Sequence, residues 1–141
     1  MNTDKANILL LIKAKVQLQM NDNAQEKRMT VSEFFEALAS NEDFIFSIAH
    51  TNSFKKNVKL CYKQNLDLNE LFQVISSLAK LETLPPKNHV HRLTGYGKEQ
   101  RGEKYMECHV APDWLLIWVQ KDDEMIFVFT NTGSHANMFG M

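Results

Sequence analysis

Hydrophobic positions near the start of the chain do not follow one periodicity. The segment Ala6–Met20 begins as a continuous apolar run and ends in strict alternation of apolar and polar residues, so helix and strand both fit. A short helix is predicted further on, at about Val31–Ala39, where a stripe of apolar residues begins. Thr30 or Ser32 can cap it, and Glu33 can complete a capping box with Thr30.

Two longer helices are predicted in the middle of the chain, where apolar residues recur every three or four positions. Ser53 is predicted to cap the first of them, which ends near Asn65. Asp67 is predicted to cap the second, Leu68–Leu81, and two prolines follow it. Because the break between them is short, the two helices are predicted to pack as an antiparallel hairpin.

Strand patterns flank this helical hairpin. Phe44–Ala49 is rich in aromatic and β-branched residues and predicts one strand. Tyr105–Val110 alternates in polarity, Trp114–Val119 is almost wholly apolar, and Met125–Thr130 follows a turn, which together predict a three-stranded antiparallel meander. The order of strand, two helices and meander predicts an α+β fold with a helical layer on one face of an antiparallel sheet.

Composition places the chain among ordinary globular proteins. Of its 141 residues, 44% are hydrophobic and 23% are charged, enough for one core without metal or disulfide support. No apolar run approaches the ~18 residues of a membrane span, and no secretory cleavage site follows the first one, so we expect a cytoplasmic protein. Cys61 and Cys108 have no CxxC spacing, which favours two half-buried thiols in a reducing compartment, although one disulfide also fits.

The net charge of −1 hides a local concentration of positive charge. Residues 1–43 carry five Lys or Arg against seven Asp or Glu, whereas residues 44–141 carry eleven against ten. The predicted helix within Asn52–Asn65 contains four cations and no acid: Lys55, Lys56, Lys59 and Lys63. A surface of this kind suits contact with phosphates, although a plain solvated face is the simpler explanation.

Candidate catalytic groups are concentrated in the last 53 residues, which hold four of the five histidines. His109 lies near the end of a predicted strand and Asp113 follows in the next turn, within reach of the imidazole. A carboxylate beside an imidazole fixes its tautomer for general acid–base catalysis, but such pairs are also common on ordinary surfaces. His135 follows the last strand, where Gly133 permits a turn back over the sheet.

The pattern alone also bears on a metal site and on the role of the two tryptophans. His89 and His91 could bind zinc together with His109, as in a metal-dependent hydrolase. Trp114 and Trp118 fit a hydrophobic core better than a platform for stacking bases.

Three sequence blocks resemble the YafQ branch of the RelE toxins, in family order and near family spacing: His91–Gly95, His109–Ile117 and Thr132–Gly140. The resemblance covers about residues 44–141. It implies a toxin of a toxin–antitoxin pair that enters the ribosomal A site and cleaves messenger RNA without a metal or other cofactor. The implied partners are a cognate antitoxin, the ribosome and messenger RNA, and no membrane.

The resemblance also implies roles for individual residues in an attack by a ribose 2′-hydroxyl on the adjoining phosphate. His109 and Asp113 match the base and its orienting group, and His135 matches the acid that protonates the leaving group. His91 matches a further active-site histidine. Two aromatic residues, Trp114 and Phe139, match positions that shape or stack in the site, and the four lysines above would contact RNA phosphates.

The sequence departs from the family pattern at one charged position. The family usually carries an arginine four residues before the last histidine, where this chain has Asn131. The segment between Gly95 and His109 is longer than usual and brings cations, Lys98, Arg101 and Lys104, that could replace that arginine. Because a fixed cation commonly contributes a few kcal/mol to the transition state, the alternative is an attenuated or inactive member that binds antitoxin or RNA as a regulator.

Residues 1–43 have no counterpart in the compact toxin and form an N-terminal extension to the toxin domain of residues 44–141. The extension could mask the cationic helix in cis, as an antitoxin segment does. An extra structural layer or a dimerisation element is the preferred expectation.

Overall fold

The computed structural model describes residues 27–139, with the side chain of Phe139 excepted, so the expectation for Ala6–Met20 lies outside the described residues. Four helices lie in this part of the chain: α1 (Val31–Ser40), α2 (Asn52–Lys63), α3 (Leu68–Ala79) and α4 (His135–Phe139). The strands are β1 (Ser47–His50), β2 (His91–Arg92), β3 (Glu103–Ala111), β4 (Trp114–Lys121) and β5 (Ile126–Gly133). The strands form one sheet in the order β1-β5-β4-β3-β2.

The predicted meander is confirmed, because β3, β4 and β5 pair antiparallel in sequence. The prediction of a wholly antiparallel sheet is wrong at one edge, where β1 pairs parallel to β5. The segment between these two strands contains α2, α3 and the strands β2 to β4. Parallel pairing requires a long crossover connection of this kind. β2 adds two residues at the opposite edge and was not predicted.

Local hydrogen bonds explain where the observed boundaries differ from the predicted ones. The first strand begins at Ser47, not Phe44, because the backbone N–H groups of Ile45 and Phe46 donate to the carbonyl of Ala79 at the end of α3. The expected cap at Ser53 is wrong, because the hydroxyl of Thr51 accepts from the backbone at the start of α2.

Two predicted caps are confirmed. The Thr30 hydroxyl and the Glu33 carboxylate form the capping box of α1, at 3.1 Å and 2.8 Å. The Asp67 carboxylate accepts from the backbone of Asn69 at 2.9 Å and begins α3. Both caps satisfy backbone donors that a helix leaves unpaired at its first turn.

The hydrophobic core lies between the helices and one face of the sheet. Trp114 and Trp118 are 2% and 1% exposed, which confirms them as core residues. Cys61 and Cys108 are fully buried unpaired thiols, so the expectation of half-buried cysteines is wrong. Burial raises the pKa of the Cys61 thiol to about 11 and that of Cys108 to about 12. Within residues 27–139, no helix has the length and apolarity needed to cross a bilayer.

Helix α1 belongs to this same core. Its Phe34 is completely buried and packs against Phe54 of α2, with ring centroids 6.4 Å apart. Ahead of α1, the guanidinium of Arg28 stacks 4.1 Å above the Tyr62 ring and donates to the carbonyl of Tyr62 at 2.8 Å. In the described part of the chain, no ion pair joins the acids of α1 to the lysines of α2. Through these contacts, α1 and the residue Arg28 ahead of it pack against α2.

Phe34→Ala tests whether α1 is part of the fold. We expect this change in the full-length protein to lower the free energy of unfolding by about 3–5 kcal/mol, because it leaves a cavity in a packed core. Glu36→Ala, at an exposed position of the same helix, should change it by less than about 0.5 kcal/mol. The measurement is urea denaturation followed by circular dichroism, and equal effects of the two changes would contradict the assignment.

Candidate active site

The candidate site lies where the strands of the meander end. The register pairs Glu107 on β3 with Ile117 on β4, and Ile117 with Asn131 on β5. Directly paired residues point to the same face of a sheet, so Glu107 and Asn131 share a face. His91 on β2 pairs with Glu107, and His109 lies two residues further along β3, on this same face. The alternate residues Cys108 and Leu116 point to the other face, where they pack into the main core with the helices.

Asp113 and His135 are brought together by two neighbouring turns. Ala111 pairs with Trp114, which leaves Asp113 in a tight turn, and Leu115 pairs with Gly133, which places the start of α4 beside that turn. Gly133 has a φ of +144°, a backbone conformation that suits glycine.

The carboxylate of Asp113 contacts His135 twice. Its Oδ1 lies 3.1 Å from Nδ1 of the imidazole and accepts from the backbone N–H at 3.4 Å. The side-chain hydrogen bond, then the backbone one and the charge of the imidazolium, lower the pKa of Asp113 below its ordinary value. The sequence predicted that Asp113 would orient His109; the structure instead pairs it with His135, because the turn carries the carboxylate towards α4.

His109 is flanked by two other imidazoles. Its ring centroid is 6.4 Å from that of His135 and 5.3 Å from that of His89. The side-chain amide of Asn88, a residue that is 6% exposed, donates to the backbone carbonyl of His109 at 2.7 Å. The Asn88 amide therefore fixes the backbone of His109 at a position of β3 that is not paired with β2.

His91 is held at both ring nitrogens. Its Nδ1 lies 2.6 Å from the carbonyl oxygen of His89, and its Nε2 lies 3.1 Å from a carboxylate oxygen of Glu107. Among the described residues, no group of three histidine, cysteine or acidic side chains could hold a metal ion. The zinc site considered from His89, His91 and His109 therefore has no support in this geometry.

Asn131, at the family's arginine position, is tied into a local network. Its amide oxygen accepts from the side chain of Asn57 on α2 and, at 3.0 Å, from the backbone of Thr132. Its amide nitrogen lies 3.4 Å from the hydroxyl of Tyr96. This side chain therefore connects β5, α2 and the loop after β2.

Two of the proposed replacement cations lie far from the histidines. Lys104 pairs with Asp122 at 3.2 Å, and Arg101 lies in the turn that precedes β3. At about 3.3 Å per strand residue, Lys104 and His109 are roughly 17 Å apart along β3. The expectation that Arg101 or Lys104 binds substrate at this site is therefore wrong. Lys98 is exposed in the loop that carries Tyr96.

The remaining predicted site residues occupy different surroundings. The indole of Trp114 is buried and donates to the hydroxyl of Thr132 at 3.0 Å, so it supports the site from within the core and offers no face to a base. The side chain of Phe139 lies outside the described residues. The four lysines of α2 are exposed, and they fall within an arc of about 100° on the side opposite the core residues of that helix. Within residues 27–139, no ion pair engages them.

Several residues that build the site were not predicted from the sequence. Glu107 alternates with His109 on β3, and that alternation was the signal for a shared face. Asn88 and Asn57 act through contacts between residues distant in sequence, for which no local pattern exists.

His135→Ala tests the pairing of Asp113 through its titration. We expect the pKa of Asp113, measured by carboxyl-carbon NMR, to rise towards its ordinary value of about 3.9. The lowered pKa means that the ionised carboxylate stabilises the native protein above the ordinary pKa, and that this stabilisation is lost as the pH falls through the lowered value. Asp122 is the internal control, because its own lowered pKa depends first on Gln120. An unchanged Asp113 titration would contradict the pairing.

Comparison with known proteins assigns this chain to a family. A family model described as "Bacterial toxin of type II toxin-antitoxin system, YafQ" matches residues 46–140. The mRNA interferase toxin YafQ of Escherichia coli strain K12 is 34% identical over 94 residues, which span 66% of this chain and 95% of that protein.

Solved structures agree with this match. The metal-bound toxin from Helicobacter pylori superposes with a TM-score of 0.59 at 33% identity, covering 67% of this chain and 99% of that one. The toxin in the E. coli DinJ–YafQ toxin–antitoxin complex gives a TM-score of 0.58 at 33% identity, covering 68% and 99%. This chain belongs to the YafQ family of bacterial toxins of type II toxin–antitoxin systems.

Proposed function

We propose that this protein is a metal-independent endoribonuclease, the toxin of a toxin–antitoxin pair, which cleaves messenger RNA at the ribosomal A site in the cytoplasm. The observation that carries the proposal is the Asp113–His135 pair beside His109, because two imidazoles whose centroids are 6.4 Å apart can contact the same phosphodiester. The family and the mRNA interferase relatives support the class of reaction.

The proposed reaction is an internal transfer within the RNA. The 2′-oxygen of a ribose attacks the adjoining phosphorus while His109 accepts the 2′-hydroxyl proton. The bond from phosphorus to the 5′-oxygen of the next nucleotide breaks, and His135 donates a proton to that oxygen. The products are a 2′,3′-cyclic phosphate and a 5′-hydroxyl, and no cofactor takes part.

The other polar residues have positioning roles in this scheme. Asp113 holds Nδ1 of His135, so the proton is exchanged through Nε2 on the opposite side of the ring. Glu107 holds His91 on the same face of the sheet. Trp114 shapes the site from beneath, and Phe139 is proposed to border it.

A second function is favoured by Asn131. A neutral amide at the arginine position leaves the charge of the phosphoryl transition state without a fixed cation there, so an attenuated or inactive toxin that binds antitoxin or RNA as a regulator remains the alternative. Its amide is also committed to Asn57, Thr132 and Tyr96, which favours a structural role for this side chain.

We propose a cognate antitoxin and the ribosome with its messenger RNA as partners. The E. coli relative was crystallised in complex with its antitoxin DinJ. The exposed lysines of α2, Lys55, Lys56, Lys59 and Lys63, are proposed to contact RNA phosphates, an interaction that weakens as salt rises. We assign residues 44–141 to the toxin domain and residues 1–43 to the extension, whose described part supports a structural layer.

His135→Ala tests the nuclease proposal. In a purified translation reaction read by primer extension, we expect the wild type to cut messenger RNA only when ribosomes are present. His135→Ala should lower the cleavage rate about 10²–10⁴-fold, the usual contribution of a general acid. Glu36→Ala serves as the folded control. Absence of cleavage by the folded wild type would favour the regulatory alternative.

Asn131→Arg tests whether the site lacks a cation. We expect it to raise the cleavage rate about tenfold or more, because a positive charge would stabilise the phosphoryl transition state. Asn131→Gln retains an amide without charge and should give no gain. If the folded arginine variant is no faster than the glutamine variant, the missing cation does not limit catalysis.

A further inference from the structure

A groove of about 800 Å³ is lined by His109 and by Pro112, the neighbour of Asp113 in sequence. It lies between α3 and the two segments that bracket the end of β3. Gln73 and Ser77 line it from α3, while Ala111 and Pro112 line it from the opposite side. The proposed reaction assigns no role to this space.

Two residues that line the groove, His89 and His109, also belong to the candidate active site. His89 has a φ of +46°, a left-handed conformation that is uncommon outside glycine. That conformation accompanies two contacts: the His89 ring lies 5.3 Å from the His109 ring, and the His89 carbonyl holds Nδ1 of His91. A ligand that enters past His89 is therefore adjacent to both histidines.

The lining combines an apolar floor with polar groups at the rim. Val74 and Ala111 supply apolar surface, which can cover the face of a planar base. The side-chain amides of Asn69 and Gln73 offer donors and acceptors that can pair with base edges, and Lys87 supplies a cation for a phosphate. Unpaired RNA is recognised in this way, with bases splayed into pockets and read along their edges.

The size of the groove and its connection to the site also favour a nucleotide. Its volume falls within the roughly 300–1,000 Å³ of typical small-ligand sites. Because His109 lines it, a base held there would belong to a nucleotide next to the phosphate under attack.

We propose that this groove is a base-binding subsite for the nucleotide that adjoins the scissile phosphate, with His89 at its entrance and Gln73 and Lys87 as its recognition groups. The proposal rests on the proposed nuclease function, since it assigns a part of the same substrate. It makes this groove a determinant of which RNA sequences are cut.

The test measures binding of an uncleavable probe, so it does not depend on catalysis. The ¹⁵N-labelled full-length protein is titrated with 2′-O-methyl dinucleotides that carry each of the four bases, and with inorganic phosphate as the comparison. We expect the backbone amide signals of Gln73, Ser77 and Lys87 to shift with at least one dinucleotide and not with phosphate alone.

Two substitutions then assign the site. Gln73→Trp fills the groove from an exposed helical position and should weaken dinucleotide binding at least about tenfold, whereas Glu36→Trp, an equally exposed change on α1, should leave it unchanged. Lys87→Glu reverses one charge in the groove with little change in volume. It should also weaken dinucleotide binding, and the loss of affinity should be larger at low salt. Melting temperatures by circular dichroism establish that each variant is folded.

The outcomes separate this proposal from the nuclease assignment. Shifts confined to His109 and His135, or equal affinities of wild type, Gln73→Trp and Lys87→Glu, would overturn the subsite. A loss of antitoxin binding in Gln73→Trp with unchanged dinucleotide affinity would also overturn it, by assigning the groove to a protein. Failure of the wild type to cleave RNA, with dinucleotide binding intact, would reject the nuclease function and leave the groove a nucleotide site.

Discussion

The backbone register of the β3–β4–β5 meander is the constraint on which the site depends. It pairs Ala111 with Trp114 and Leu115 with Gly133, so two chain reversals meet at one end of the sheet. Side chains alternate between faces along a strand, and a slip of one residue would move Glu107 and His109 to the face that packs on the helices. The apolar residues of β4 oppose such a slip, because a shift of one residue would remove the indoles of Trp114 and Trp118 from the core. Packing of the core therefore determines the face of the sheet on which Glu107 and His109 lie.

The elements of the fold were predictable from sequence wherever the pattern was local. Helical spacing and capping residues located α1 and α3, and the alternation in polarity located β3. Errors arose where a distant contact prevailed over the local pattern. The local pattern predicts that Phe46 belongs to a strand, but its N–H donates to the end of α3 and its ring stacks on Phe127 at 4.5 Å. Strand β1 therefore begins after Phe46. The parallel pairing of β1 with β5 involves strands that are separated by most of the chain.

Sequence motifs could nominate residues for the candidate site, whereas the contacts between those residues could not be predicted. The motifs identified His91, His109, Asp113 and His135 through a family resemblance, and the structure places them around one end of the sheet. Which histidine the carboxylate contacts depends on how the turn after β3 is oriented, and spacing along the chain favoured the wrong partner. Arg101 and Lys104 fail as replacement cations for a similar reason, because the chain carries them towards the far end of β3.

The burial of both thiols has a practical consequence for studying this toxin. With pKa values of about 11 and 12 and no access to solvent, Cys61 and Cys108 are protonated and shielded at neutral pH, so they do not compete for maleimide reagents. An engineered surface cysteine would then be the single reactive position in the described fold. A fluorophore or spin label could be attached there to test the proposed partners for binding, without first removing native residues that the core needs.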